Sequence, residues 1–123
     1  MKQVSVIGNG SCAEGSEAWR LAEEVGQRLA EAGVTVVCGG LGGVMEAVCR
    51  GAAKADGEAI GITPGVSVEE ANPYCTHVVA SAIGYARNLA VVASGDAVIA
   101  VGGEWGRSRR SGTPAASARR SWR

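Results

Sequence analysis

No run of eighteen apolar residues occurs in this 123-residue sequence, so no membrane-spanning helix and no membrane partner are expected. The N-terminus lacks the basic region, apolar stretch and small-residue cleavage site of a secretory leader. Four cysteines, Cys12, Cys38, Cys49 and Cys75, show no C-x-x-C spacing, and the lone histidine, His77, has no clustered partner; no metal site is expected. Thiols in apolar or helical surroundings behave as small buried hydrophobes, and reduced thiols fit a cytoplasmic protein. Residues 107–123 contain six arginines, no acid and no Val, Ile, Leu or Met. Those arginines lack the aromatic interleaving of a recognition module, so no nucleic-acid partner is expected. Residues 1–106 hold all twelve carboxylates against six Lys/Arg, which makes the body about −6 and the tail +6. The length allows one core and no second domain.

What the chain does have is glycine at strand ends. Val34-Thr35-Val36-Val37-Cys38 is short, β-branched and almost uniformly apolar, as a strand buried on both faces of a parallel sheet reads. Gly39-Gly40-Leu41-Gly42-Gly43 follows, and then Val44, Val48 and Ala52 fall at helical spacing with Met45 and Cys49 beside them. This strand, glycine turn and helix allow either close backbone packing or an approaching ligand. Free N–H groups and the dipole at a helix start favour an anion, so phosphate is the natural guest.

The same alternation runs through the chain. Gln3–Gly8 reads as a strand, followed by a second loop, Asn9-Gly10-Ser11-Cys12-Ala13-Glu14-Gly15. Ser16 is placed to cap a helix to about Ala32, with Trp19, Ala22, Val25, Leu29 and Ala32 as its apolar stripe and Gly33 as its stop. A helix over about 43–55, a strand at 59–63, a turn-rich surface loop at 64–74 and a short strand at 76–80 follow. Residues 84–94 read as a helix with Leu89, Val92 and Ala93 facing the sheet. Residues 96–101 read as a strand, and Gly102-Gly103-Glu104-Trp105-Gly106 as a third glycine loop, in which Trp105 is a packing residue. Alternation of this kind gives an α/β fold with an open parallel sheet whose loops meet on one edge. Ligands bind at such edges.

Three motifs, Gly39-Gly40-Leu41-Gly42-Gly43-Val44-Met45-Glu46-Ala47, Tyr85-Ala86-Arg87-Asn88 and Gly102-Gly103-Glu104-Trp105-Gly106, resemble the family once labelled lysine decarboxylase-like. That family includes the LOG phosphoribohydrolases and the molybdenum-cofactor carrier proteins, and the Gly-Gly-Glu-Trp-Gly form is similar to the carrier branch. The resemblance covers about residues 3–106. It implies a Rossmann-like fold, a homodimer when complete, and a small phosphate-bearing ligand at the strand C-terminal edge: a nucleotide monophosphate or the molybdenum cofactor, with no further cofactor required. The residues it implies for that ligand are Gly8, Asn9, Gly10, Ser11, Gly39, Gly40, Gly42, Gly43, Val44, Met45, Arg87, Asn88, Gly102, Gly103 and Gly106. In the hydrolase branch the arginine matched by Arg87 is catalytic together with a glutamate, which would stabilise positive charge on the ribose and activate water.

That partner glutamate is absent here. Gly102 stands at the hydrolase proline, Arg107 at the threonine and Arg110 at the glutamate. The Rossmann-like domain over 1–106 is thus expected to be truncated at its C-terminal end, with 107–123 a basic, disordered, non-family tail. Read one base out of frame from Gly106, permitted codons restore Gly-Thr-x-x-Glu followed by helix and strand patterns, as loss of one base would produce. Three readings follow: a ligand-binding module without chemistry, which the Gly-Glu-Trp-Gly form favours; a nucleoside 5′-monophosphate phosphoribohydrolase impaired by the missing residues; and a frameshifted, non-functional fragment.

Overall fold

The computed structural model describes residues 1–102 and the backbone of a strand over 116–120. Five strands, β1 (Gln3–Gly8), β2 (Thr35–Cys38), β3 (Ala59–Thr63), β4 (His77–Ala80) and β5 (Ala97–Val101), form a parallel sheet with α1 (Glu17–Glu31), α2 (Val44–Lys54) and α3 (Arg87–Ser94) between them. The sheet order is β4-β3-β2-β1-β5, and β6 (Ala116–Arg120) pairs antiparallel with β5 at the outer edge. This last strand lies within the stretch read from sequence as a tail. The other tail residues, 107–115 and 121–123, and the loop residues Gly103, Glu104, Trp105 and Gly106 fall outside the described residues.

The element starts follow local chemistry. The Ser16 hydroxyl accepts the Trp19 N–H at 3.3 Å and caps α1. At the other end Gly33 takes φ 77°, letting its N–H reach Ala30 O and the Val34 N–H reach Leu29 O, both at 2.9 Å, which satisfies carbonyls that the helix leaves without partners.

The two faces of the sheet are covered differently. Val6, Val36, Cys38, Ala59 and Val101 pack beneath α1 and α2, contributed by Trp19, Ala22, Val44, Ala47, Val48, Cys49 and Ala52. On the other face Val37 and Ile62, with Ile7 and Ile60, pack against Val91 and Ala90 of α3. The expectation for α3 is corrected here. Leu89 is 67% exposed and Ala93 is exposed, whereas Arg87 and Val91 are buried. The helix is rotated from the phase that hydropathy alone predicts because the Arg87 guanidinium binds backbone carbonyls beneath it, and Val91 follows one turn later on the same face.

α1 and α2 approach closely through two glycines. A Cβ on Gly26 would lie 2.0 Å from Val48 O, and one on Gly51 1.9 Å from Glu23 O. The chain steps across the sheet from β1 to β4 in one direction and then crosses back to place β5 on the other side of β1. Such reversals open a crevice at the strand C-terminal ends.

Candidate functional site

Two loops leave the C-terminal ends of neighbouring strands β1 and β2, and they are in direct contact. The Val44 N–H donates to Asn9 O at 2.9 Å, and a Cβ on Gly43 would lie 2.4 Å from both Asn9 O and Gly10 C. Gly43 also has φ 63°, a conformation that side chains resist. Its glycine is required twice over, by the dihedral and by the neighbouring loop. Asn9 Oδ1 accepts the Ser11 N–H at 2.7 Å, which shapes the first loop.

Between these loops and α3 lies a cleft of about 350 Å³, lined by Val6, Ile7, Gly8, Gly10, Ser11, Gly39, Leu41, Met45, Tyr85, Arg87, Asn88 and Val91. Arg87 forms its wall and is only 3% exposed. Its Nε donates to Ile62 O at 2.9 Å, Nη2 to Gly39 O at 3.4 Å and Nη1 to Asn88 Oδ1, with Met45 Sδ 4.0 Å from Nη2. A guanidinium carries five N–H donors, so one N–H remains after these contacts. Among the described residues no carboxylate forms an ion pair with Arg87. A buried cation held only by neutral dipoles is costly and favours an anion at its open side.

The residues expected from sequence divide into three groups. Gly8, Gly10, Ser11, Gly39, Met45, Arg87 and Asn88 line the cleft. Asn9, Gly40, Gly42, Gly43 and Val44 build its frame instead: the Val44 side chain is in the core and its N–H is held by Asn9 O. Gly102, at φ 54°, faces Ala18 of α1, while Gly103 and Gly106 lie outside the described residues. A framing residue that sequence reasoning missed is Asn72. Its N–H donates to Gly40 O at 2.8 Å, its Nδ2 donates to Leu41 O at 2.9 Å and Gly40 O at 3.3 Å, and its Oδ1 accepts the Tyr74 N–H at 2.9 Å. The available signal was Asn72-Pro73, a turn dipeptide opposite a glycine loop.

Beneath the glycine loop three cysteines meet, although their spacing in sequence is irregular. Cys38 Sγ lies 3.4 Å from Cys49 Sγ, which lies 3.9 Å from Cys75 Sγ, and the Gly40 N–H donates to Cys38 Sγ at 3.4 Å. The contact with Cys49 favours a Cys38 thiolate, but the Cys75 contact and burial outweigh it and push Cys38 up to about 12. Cys49 is pushed up by Cys38, then Cys75, and by burial. Cys75, the partly exposed member, is lowered to about 4 by hydrogen bonds from Cys38 and then Cys49.

The sheet order, the crevice and the glycine loops define a Rossmann-like α/β domain with a cleft at the strand C-terminal edge. The chain belongs to the SLOG cluster4 family, whose model matches residues 1–110. It is 42% identical over 106 residues to an uncharacterised protein of Archaeoglobus fulgidus, covering 86% of this chain and 68% of that one. Among solved structures it is similar to the molybdenum cofactor binding protein of Rippkaea orientalis, at 34% identity and TM-score 0.76, covering 80% of this chain and 61% of that one. It is also similar to the molybdenum cofactor carrier protein of Chlamydomonas reinhardtii, at 29% identity and TM-score 0.74, covering 89% and 68%. The chain spans about two thirds of the length of these relatives. No helix among the described residues is long and apolar enough to cross a membrane.

Proposed function

We propose that the cleft binds the phosphate end of a small cofactor or nucleotide, and that the molybdenum cofactor class named for its structural relatives is the first ligand to test. The observation that carries this reading is the buried Arg87 guanidinium, which faces the cleft without a carboxylate partner among the described residues. The residues fit such a group. Gly39 leaves space that a Cβ would close, since that Cβ would lie 2.6 Å from Met45 Sδ and 2.9 Å from Arg87 Nη2. Gly8 and Gly10 line the facing side, where a Cβ on Gly8 would lie 2.7 Å from Val101 O. Arg87 would neutralise the phosphate, Ser11 and Asn88 would supply hydrogen bonds, and Ile7 and Val91 would exclude water from one side. Such a cofactor, when bound, supplies the metal and its redox chemistry; this chain's part is to hold and shield it.

Binding is favoured over N-glycosidic hydrolysis because none of the described residues lining the cleft is a carboxylate. Without one, nothing described here would activate water or stabilise positive charge on a ribose. The phosphoribohydrolase reading rests on a motif beyond Gly102, outside the described residues.

The test is a calorimetric titration with adenosine 5′-monophosphate, a pterin phosphate and the molybdenum cofactor under anaerobic conditions. Saturable binding of at least one, weakened tenfold or more by Arg87→Gln, is expected. Absence of binding by all three, or equal binding by the variant, would sink the reading. Release of free adenine from the monophosphate would replace carriage with hydrolysis.

A further inference from the structure

We propose that Cys75, Cys49 and Cys38 form a peroxide-reactive thiol relay, in which a Cys49–Cys75 disulfide loosens the glycine loop of the ligand cleft. The cluster unites three elements: Cys38 ends β2, Cys49 is in α2 and Cys75 lies just before β4. Separations of 3.4 and 3.9 Å between sulfurs place each thiol within reach of the next. Cys75 is the partly exposed member, whereas Cys38 and Cys49 are buried. An oxidant therefore meets Cys75 first. The thiols around it favour its thiolate, the reactive form.

The chemistry balances with hydrogen peroxide as the oxidant. The Cys75 thiolate attacks one peroxide oxygen, the O–O bond breaks, and Cys75 becomes a sulfenic acid while the other oxygen leaves as hydroxide and takes up a proton as water. The Cys49 sulfur then attacks the Cys75 sulfur, the S–O bond breaks, and the Cys49 proton leaves with that oxygen as a second water. Two electrons pass from the two sulfurs to one peroxide. Cys38, 3.4 Å from Cys49, holds the resolving sulfur in place.

The consequence follows from geometry. A disulfide requires about 2.05 Å between sulfurs, so the 3.9 Å separation must close by nearly half. Cys75 has little freedom to comply by itself, because its sulfur lies 2.6 Å from where a Cβ on Gly61 would sit. The Cys75 N–H is bonded to Asn72 O at 3.3 Å, and Asn72 pins the carbonyls of Gly40 and Leu41. Pulling Cys75 toward α2 thus draws on the residue that holds the glycine loop. The effect on ligand rests on the binding reading above; the disulfide itself does not.

The experiment exposes the full chain to hydrogen peroxide, blocks residual thiols and maps disulfides by mass spectrometry, with amide exchange measured on the same samples. A Cys49–Cys75 cross-link is expected, with exchange at residues 40–44 at least fivefold faster than in reduced protein and reversal by a thiol reductant. Cys75→Ser should slow oxidation of the cluster at least tenfold, whereas Cys12→Ser should leave it unchanged. If Cys75→Ser fails to fold, the mapping in the native chain decides alone. Four unmodified thiols after peroxide, a cross-link through Cys12, or a Cys49–Cys75 disulfide with unchanged exchange at 40–44 would each overturn the proposal. Adenosine 5′-monophosphate titrated into the oxidised protein should bind at least fivefold more weakly. If the reduced protein also fails to bind it, the mapped disulfide and exchange still judge the relay on their own.

Discussion

Replacing Gly51 or Gly26 with alanine sets two known effects against each other. Alanine is favoured over glycine in a helix interior by about 1 kcal/mol, so an isolated helix would gain. Here the new Cβ would sit 1.9 Å from Glu23 O for Gly51, or 2.0 Å from Val48 O for Gly26. Ordinary contact requires α1 and α2 to separate by roughly 1.5 Å, and a close-packed interior then loses dispersion along the whole crossing. Overpacking against backbone, which cannot rotate aside, costs about 2–4 kcal/mol net of the helix gain. For a domain of this size about 5 °C of melting temperature accompanies each kcal/mol, so each variant should melt roughly 10–20 °C lower by circular dichroism. Because a single opening of the crossing relieves both clashes, the double variant should cost clearly less than the sum of the singles. A melting temperature unchanged or raised in either single variant would refute the argument, and strict additivity would refute the shared opening.

Five further outcomes follow. Gly43→Ala should destabilise the fold by about 2 kcal/mol or more, because it combines φ 63° with a 2.4 Å approach to Asn9 O. Gly42→Ala, with its nearest contact at 3.5 Å, should unfold within about 1 kcal/mol of the parent in urea. Asn72→Ala removes the side-chain bonds to Gly40 O, Leu41 O and the Tyr74 N–H, and should cost about 2 kcal/mol and speed amide exchange at 40–44. Arg87→Lys should retain more affinity for a phosphate ligand than Arg87→Gln, since it keeps the charge but loses the fork; equal loss in calorimetry would show that charge is not what the site uses. Cys38 and Cys49 are raised above their unfolded value of 9.0, so their stabilising effect is complete below pH 9 and is lost as pH rises toward about 12 for Cys38. Each then removes roughly 1 kcal/mol per pH unit. Urea midpoints measured from pH 9 upward should fall less steeply in Cys38→Ala than in the parent, and an identical slope would contradict the assignment.

The parts legible in sequence were those written in periodicity and turn chemistry. β1 at Gln3–Gly8 and β3 at Ala59–Thr63 stand where β-branched runs end at Gly8 and Pro64, and Ser16 caps α1. Arg87 was expected at the site from its motif and stands on the cleft wall, but its inward rotation was not legible. Hydropathy places leucine inside and arginine outside, whereas carbonyl oxygens at Ile62 and Gly39 reverse that order. Asn72 and the three cysteines escaped for another reason. Their importance arises from crossovers that bring residues 38, 49, 72 and 75 together, and no local pattern records such proximity. Val44 shows the converse: its position at a helix start suggested an anion contact, but a neighbouring loop already holds its N–H.

The glycine crossing of α1 and α2 also determines how the cleft can move. These helices follow the two loops that line the cleft, and they are locked at near-backbone distance. The loops are also joined by the bond from Val44 to Asn9. In the reduced protein they sit together as one jaw of the cleft. The opposite jaw is α3, eight residues long and carrying Arg87, with Tyr85 just before it 80% exposed. The cleft is thus braced by two locked helices on one side and by a single short helix on the other.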